Sequence, residues 1–256
     1  MYQIIAYLKF LFTSTNQHGV HSPFVYNFVT RCLYDKTKYE AYTTLGNYRN
    51  ILQKSDVVLK IQDLGEGSRV LDADTRKVNQ MVKTSSSSKK DTELLYRVSK
   101  YFKFKNTLEL GTSLGMGTLA FALANPNSEI ITVEGCPNTS KFSKSKLKNI
   151  EVNNVQFTID NFTDAISNLN ENQFDVVFFD GHHNKTATIQ YFESLLSKAH
   201  NDTVFVFDDI YWSKGMTEAW EYIKNHKSIS VTVDCFHLGF VFFRKEQRKE
   251  HFKVRL

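Results

Sequence analysis

From residue 106 onward, short apolar stretches alternate with stretches of helical periodicity. Five apolar stretches have the length and composition of strands, at Thr107–Leu110, Glu129–Val133, Val155–Ile159, Phe174–Phe179 and Thr203–Phe207. The segments between them are typical of helices, at Thr118–Ala124, Asn138–Leu147, Thr163–Leu169 and Thr186–Ala199. Strands that are apolar along their whole length are buried on both faces, so this alternation predicts a parallel sheet covered by helices on both sides.

Two further strand patterns follow, at Ser228–Cys235 and Leu238–Arg244. Only Phe236 and His237 separate them, and a connection that short joins antiparallel neighbours. The sequence therefore predicts an α/β fold with a Rossmann-like, doubly wound sheet of seven strands. The sheet is mostly parallel, with one antiparallel strand near the C-terminal end.

The first 90 residues have a helical pattern instead. Ser22 and Pro23 form a typical helix start, since serine caps the first turn and proline fits its first position. Residues 61–70 predict a glycine-bearing loop, and the Ser-rich run at 84–90 is interpreted as a hinge, with an ordered surface loop as the alternative. We predict a helical N-terminal region at 1–90 that serves as a lid, a substrate element or a dimer element, a main domain at 91–245 and a basic tail at 246–256.

Composition narrows the classes of protein. With 256 residues, 41% hydrophobic, the chain is long enough to bury a full α/β core. Its three cysteines are far apart and form no CxxC pair, which argues against a disulfide framework or a zinc site and favours a reducing, cytoplasmic location. The net charge of +5 is modest, so nucleic acid is not the expected partner.

The apolar start, MYQIIAYLKFLF, is far shorter than the ~20 apolar residues of a membrane span. We interpret it as an amphipathic helix that packs on the body of the protein. Attachment to a membrane surface is the alternative.

The stretch Thr107–Gly117, TLELGTSLGMG, organises the main domain. It predicts a strand, a loop containing Gly111, Gly115 and Gly117, and then a helix. Glycine allows backbone angles that are closed to other residues, and a helix start offers N–H groups to a polar or anionic ligand. This loop is therefore a candidate cradle for a nucleotide-type ligand.

Glu134 ends the next predicted strand, 23 residues after Gly111. A carboxylate at that position suits the ribose hydroxyls of a nucleotide, because it can accept two hydrogen bonds. It also disfavours a 2′-phosphate, and hence NADP. A surface acid without a ligand is the alternative interpretation.

Acids also end the fourth and fifth predicted strands, as Asp180, Asp208 and Asp209. Because ligands bind beyond the carboxyl ends of parallel strands, these side chains are expected to converge there. Three carboxylates suit Mg²⁺, which could bind and orient an acceptor hydroxyl. The alternatives are that Asp208 or Asp209 caps the following helix, and that Asp180 holds the substrate or cofactor without a metal.

His183 and Lys185 follow Asp180 closely and are candidate general bases. Asp180 is counted with them as a catalytic residue. A histidine packed against the sheet edge and a solvated lysine are the alternatives. Tyr211 and Trp212 follow the acid pair and could wall a substrate pocket, with core packing as the alternative.

These motifs resemble class I S-adenosylmethionine-dependent methyltransferases over about residues 90–245. The glycine string from Glu109 and the later Glu134 resemble the cofactor signature of that family, and the final hairpin resembles its reversed seventh strand. The acid trio resembles the metal site of catechol-type and related bacterial small-molecule O-methyltransferases, where Asn commonly stands in the place of Asp209. The run from Asp180 to Lys185, DGHHNK, resembles the Asp-Gly-Asp-His run of sugar and antibiotic O-methyltransferases, with His183 in the place of that His.

The resemblance implies a role for each matching residue. Glu109 would belong to the cofactor-binding signature. The loop residues would line the methionine part of the cofactor; they are Gly111, Thr112, Ser113, Gly115 and Gly117. Glu134 would bind the ribose, Asp160 and Asn161 would lie near the adenine, and Asp180 would lie between cofactor and acceptor.

The predicted function is therefore O-methylation of a small molecule with S-adenosylmethionine, with Mg²⁺ as a further candidate cofactor. The protein could also form a homodimer, which the sequence leaves open. An RNA or protein methyltransferase of the same fold is the first alternative. An NAD-dependent oxidoreductase and a cofactor-binding protein without catalysis are the others, although the glycine spacing is not GxGxxG.

Overall fold

The computed structural model describes residues 1–61, 75–169 and 173–256. It divides the chain into two compact units: Met1–Asp35 together with Asn170–Leu256, and Lys36–Leu169. Beyond residue 61, the predicted glycine-bearing loop at 61–70 lies outside the described residues.

The secondary structure follows the predicted alternation. The helices are α1 (Tyr2–Thr13), α2 (Pro23–Phe28), α3 (Ala41–Gln53), α4 (Val78–Thr84), α5 (Lys89–Phe102), α6 (Met116–Ala124), α7 (Pro137–Lys148), α8 (Phe162–Ser167), α9 (Lys185–Leu195) and α10 (Lys214–Asn225). The strands are β1 (Val58–Lys60), β2 (Thr75–Lys77), β3 (Asn106–Leu110), β4 (Glu129–Glu134), β5 (Val155–Ile159), β6 (Phe174–Phe179), β7 (Ala199–Asp208), β8 (Val231–Asp234), β9 (Leu238–Phe242) and β10 (Glu250–Lys253). A π-helical turn, Val29–Leu33, follows α2, and short 3-10 turns lie at Gln17–Gly19 and Leu196–Lys198.

Side-chain caps fix several helix starts. Ser22 accepts a hydrogen bond from the Val25 N–H at the start of α2, as its position before proline predicts. Ser88 caps α5 in the same way, so the Ser-rich run ends in a defined helix start. Asn184 caps α9 and Ser213 caps α10.

In the unit Lys36–Leu169, β3, β4 and β5 are parallel neighbours in that order. The register places Glu109 beside Thr132 and Glu134 beside Ile159. Helix α6 packs on α5 and α3, and β1 and β2 form a separate antiparallel pair. This unit contains the whole glycine loop.

In the other unit, the strand order is β10-β8-β9-β7-β6. Strand β9 is antiparallel to both β7 and β8, which confirms the predicted reversed strand. Aromatic side chains fill the core on both sides of these strands; Phe178, Phe205, Phe207, Trp220, Phe240 and Phe242 are fully buried.

The strand count differs from the prediction. Among the described residues, the mostly parallel Rossmann-like sheet has eight strands rather than seven. The additional strand is β10, which pairs parallel to β8 and comes from the predicted basic tail. Helix α9 ends at Leu195, and β7 begins already at Ala199, where helix was expected. None of the described helices has the length and apolar character to cross a membrane.

Candidate active site

The glycine loop leaves β3 and turns sharply into α6. Gly111 and Gly115 have φ angles of 108° and 76°, in the left-handed region that glycine adopts without strain. Ser113 adopts φ 46° between them. A Cβ on Gly115 would lie 3.2 Å from Leu147 Cδ1, so the turn also has little room for a side chain. The first N–H groups of α6 have no side-chain cap, which suits a polar ligand.

A buried carboxylate on β3 is connected to this loop through hydrogen bonds. Glu109 is 1% exposed, and its Oε2 accepts hydrogen bonds from the hydroxyls of Thr118 and Thr132, the latter at 2.6 Å. Thr132 lies 2.6 Å from the hydroxyl of Thr112 in the loop. Removing either donor would take a hydrogen bond from a buried polar group, which costs more than losing an exposed one. Glu109 therefore supports the loop from within the core.

Glu134 holds the loop from the end of β4. Its Oε2 accepts a hydrogen bond from the Ser113 N–H at 2.9 Å, and its Oε1 accepts one from the Cys136 N–H, also at 2.9 Å. The two backbone donors fix the orientation of the carboxylate. A carboxylate has about four acceptor positions in all, enough to receive ribose hydroxyls in addition to two N–H groups. The structure thus brings the predicted ribose acid and the glycine loop together.

Sequence reasoning missed two supports of the loop. The Tyr48 hydroxyl on α3 donates to the Leu114 carbonyl at 2.7 Å, and burial raises the pKa of this phenol above its usual range. The Ser143 hydroxyl on α7 donates to the Ser113 carbonyl at 2.5 Å. Neither position has a local signal, because both contacts depend on how a distant helix packs.

The predicted adenine residues follow β5. The Asp160 carboxylate accepts a hydrogen bond from the Asn161 N–H at 2.8 Å. Asn161 caps α8 by accepting a hydrogen bond from the Asp164 N–H at 2.9 Å. Asn161 therefore has a structural task in addition to any contact with a ligand.

The strand-end region of the other unit begins with Asp180 after β6. Its Oδ1 lies 4.0 Å from His183 Nε2, and both side chains are partly buried. The neighbouring His182 adopts φ 54° and places Nδ1 3.0 Å from the Tyr191 hydroxyl. His183 thus lies beside a carboxylate, and His182 lies beside the Tyr191 hydroxyl.

Lys185 points elsewhere. Its Nζ donates to Glu218 Oε2 at 2.8 Å, and this hydrogen bond lowers the pKa of the Glu218 carboxyl. The side chains of both residues are about half exposed, at 49% and 43%. The lysine lines an open groove of about 660 Å³ whose walls also include Tyr222 and His226. A solvated ion pair of this kind is poorly suited to a neutral general base.

Asp208 and Asp209 lie at the end of β7. Asp209 adopts φ 52°, and its carbonyl accepts a hydrogen bond from the Trp212 N–H at 2.8 Å. Ser213, rather than either aspartate, caps α10. Over the part of the chain that the structure describes, no group of three or more His, Cys, Asp or Glu side chains is arranged to hold a metal ion. The acid trio therefore does not make up a metal site by itself.

An aromatic cluster follows this loop. Trp212 lies beside His183, with 6.3 Å between the ring centroids, and Tyr211 stacks on Phe236 at 5.0 Å. The Tyr211 hydroxyl donates to the buried Asp234 carboxylate at 2.6 Å. Burial raises the pKa of Asp234 above its ordinary value of 3.8, although hydrogen bonds from Tyr211 and the Phe236 N–H oppose that shift. Tyr211 is thus core, whereas Trp212 is partly exposed.

Comparison with known proteins agrees with this geometry. Residues 108–210 match a family model described as a methyltransferase domain. No curated protein matches the sequence significantly.

Solved structures of the same fold align with most of the chain. The SAH-bound methyltransferase PaMTH1 of Podospora anserina aligns with a TM-score of 0.61 at 14% identity, over 88% of this chain and 97% of that one. The O-methyltransferase TomG of Streptomyces achromogenes, involved in tomaymycin synthesis and solved with SAM, aligns at 0.58 and 16% identity, over 86% and 95%. An O-methyltransferase of Bacillus cereus in complex with SAH aligns at 0.56 and 16% identity, over 81% and 92%.

The strand order with its reversed strand, together with the glycine loop, is that of the class I methyltransferase fold. The matched domain lies across β3 to β7, the part of the chain that carries the glycine loop and the strand-end acids. The predicted class is therefore supported: residues 108–210 match a methyltransferase domain, within a Rossmann-like methyltransferase fold.

Proposed function

We propose that this protein transfers the methyl group of S-adenosylmethionine to a hydroxyl oxygen of a small molecule. The observation that carries the cofactor assignment is the Glu134 carboxylate, held by the N–H groups of Ser113 and Cys136. Several solved structures of the same fold are O-methyltransferases by their descriptions, which supports oxygen as the acceptor atom.

The residues of the glycine loop fit this cofactor. The φ angles of Gly111 and Gly115 bring backbone, rather than side chains, to the ligand, and Glu134 offers carboxylate oxygens to ribose hydroxyls. Asp160 and Asn161 are assigned to the adenine side. When bound, S-adenosylmethionine supplies a methyl group on a positively charged sulfur. The chain's own contribution is to position that methyl group in line with the acceptor and to exclude water.

His183 is the proposed proton acceptor. An imidazole can take the proton that the acceptor hydroxyl loses as its oxygen forms the new bond to the methyl carbon. Asp180 Oδ1, at 4.0 Å from His183 Nε2, stabilises the imidazolium that results. Lys185 remains the second candidate from the sequence, but its bond to Glu218 favours His183.

Trp212 provides the proposed acceptor wall. Its ring is partly exposed beside His183, and an indole face suits a flat, ring-containing acceptor. We therefore expect hydroxylated aromatic compounds among the substrates. The RNA alternative would require a continuous basic groove.

Magnesium remains a prediction from the sequence and has no step in this proposal. Asp180, Asp208 and Asp209 are oxygen donors of the type that Mg²⁺ binds, yet the described side chains do not form a three-ligand group. Turnover with and without EDTA tests the point. Three results together would establish the metal: EDTA lowers turnover, added Mg²⁺ restores it, and Asp208→Ala removes this dependence on Mg²⁺.

The experiment that tests the function is methyl transfer itself. The purified protein is incubated with S-adenosylmethionine and a panel of phenols and catechols, and S-adenosylhomocysteine is measured together with the methylated product. We expect product carrying a new methyl ether. Binding of S-adenosylmethionine without turnover on any acceptor in an extended panel would contradict O-methylation and favour a non-catalytic binding protein.

A further inference from the structure

Helix α1 is apolar on both of its faces. Its inner face buries Ala6 and Phe10, and the Phe10 ring packs on Tyr211 in the β7–α10 loop and on Phe236 in the β8–β9 turn. Its outer face carries Ile4, Leu8 and Phe12, with exposed fractions of 67%, 50% and 88%. Residues four apart share one helix face, so these three side chains form a continuous exposed row.

The inner face is firmly held. The ring of Phe10 lies 5.5 Å from that of Phe236, and the Gln3 amide donates to the Trp212 carbonyl at 3.3 Å. The Tyr2 hydroxyl donates to Thr217 at 2.7 Å. Rotation of the helix to bury the outer row would break these contacts. The outer row is therefore a fixed surface, and an exposed apolar surface of this kind marks an interaction site.

The charged side chains of α1 and of the C-terminal residues bonded to its end are basic. Residues 1–34 contain no Asp or Glu, and Lys9 is exposed on α1 itself. Lys253 Nζ donates to the Thr13 hydroxyl at the end of α1 at 3.4 Å, and the exposed Arg255 donates its N–H to the Thr15 carbonyl at 3.0 Å. Cations thus border the apolar row without any acid from the same segment.

We propose that the outer face of α1 binds the surface of an anionic phospholipid bilayer. The row Ile4, Leu8 and Phe12 enters the interface between headgroups and acyl chains, while Lys9, Lys253 and Arg255 contact the headgroup phosphates. Exposed Tyr2 and Tyr7 flank the row, in the amphipathic position that tyrosine favours at membrane interfaces. A second copy of the chain fits this face less well, because pairing two α1 helices would bring their lysines together while α1 itself supplies no carboxylate to neutralise them.

This proposal is independent of the reaction, and its test uses the full chain without any acceptor. The protein is mixed with vesicles of equal parts phosphatidylcholine and phosphatidylglycerol, or of phosphatidylcholine alone, and the fraction that sediments with the lipid is measured. We expect sedimentation with the anionic vesicles and a several-fold weaker association with the neutral ones. Added salt should weaken the anionic association.

Two variants and a control locate the surface. Leu8→Asp with Phe12→Asp should lower the bound-to-free ratio by at least about tenfold, since two apolar side chains no longer enter the lipid. Phe12→Asp alone changes the most exposed position and should give a smaller decrease with little risk to folding, which circular dichroism checks. Ile51→Asp is the matched control, because Ile51 on α3 is 49% exposed and lies in the other unit, and it should bind as the wild type does.

Other results would overturn the proposal. Wild-type protein that fails to sediment with anionic vesicles would do so, as would equal binding by the double variant. If light scattering showed instead a wild-type dimer that the double variant converts to a monomer, a second copy would be the occupant, and the membrane assignment would be wrong.

Discussion

The glycine-loop region and the strand-end region differ in how their acids are held. In the glycine-loop region, Glu134 accepts hydrogen bonds from two backbone N–H groups and Glu109 from two hydroxyls. In the strand-end region, Asp180 faces His183 at 4.0 Å, and Lys185 turns to Glu218. Backbone donors fix the Glu134 carboxylate before any ligand arrives, whereas the Asp180–His183 pair combines a carboxylate with an imidazole, a group suited to accept a proton. We therefore expect the first region to bind the cofactor and the second to move a proton.

Replacing His183 should produce the largest effect. His183→Asn removes the proposed proton acceptor, so we expect kcat to fall by about 10²–10⁴-fold, with the affinity for S-adenosylmethionine unchanged. Steady-state kinetics and calorimetry measure the two quantities. Lys185→Gln is the control and should change kcat by less than about twofold, as expected for an exposed ion pair. A larger loss for the lysine variant would transfer the base role to Lys185.

Replacing Thr132 should have the next largest effect, on stability. Thr132→Val keeps the shape of the side chain but removes a hydrogen bond to the buried Glu109 carboxylate. We expect the free energy of unfolding to fall by about 1.5–3 kcal/mol, measured by urea denaturation. Thr186→Val, on the exposed first turn of α9, is a matched control for the hydroxyl deletion. Equal stability losses would remove the special role of the Glu109 network.

Gly115→Ala should have a moderate effect. At φ 76° an alanine is strained by about 1–2 kcal/mol, and its Cβ would also press on Leu147. We expect a lower melting temperature and weaker binding of S-adenosylmethionine. Gly46→Ala lies within α3 where a Cβ meets nothing, so it should not lower the stability. A Gly115→Ala protein with wild-type affinity would show that the turn does not shape the cofactor site.

The smallest effect concerns pH and Asp234. Because burial raises its folded pKa above 3.8, the stability linked to its protonated form is fully present below pH 3.8. That stability is lost as the pH rises through the raised pKa. Asp234→Asn cannot ionise, so its melting temperature relative to the wild type should increase as the pH rises from below 3.8 towards neutrality. A difference that is constant across this range would mean that Asp234 does not titrate with a raised pKa.

Local patterns predicted most of the fold. Apolar runs located β3 to β7, and the two-residue connection at Phe236 and His237 required the antiparallel strand β9. Strand β10 was missed because it is four residues long and three of the four are polar, so only its pairing with β8 reveals it. The pairing of Glu109 with Thr132 follows from the register of parallel neighbours, once β3 and β4 are known to be adjacent.

Contacts between residues close in sequence or on adjacent strands of the candidate site could be predicted, whereas contacts with distant helices could not. The glycine loop and Glu134 come together because a strand, a turn and the next strand end place them there. The Tyr48 hydroxyl reaches the loop from α3, 66 residues away, and the partner of Lys185 lies on α10. Such contacts depend on helix packing, which short-range sequence patterns do not encode.

Calorimetric titration with S-adenosylmethionine tests the central claim most directly, since Glu134 links the loop to the cofactor. We predict one binding site in the wild type and, for Glu134→Ala, an affinity weaker by at least about 1 kcal/mol, because charged acceptor hydrogen bonds are lost. His183→Asn should bind as the wild type does. A wild type that shows no binding, or a Glu134→Ala protein with unchanged affinity, would contradict the account.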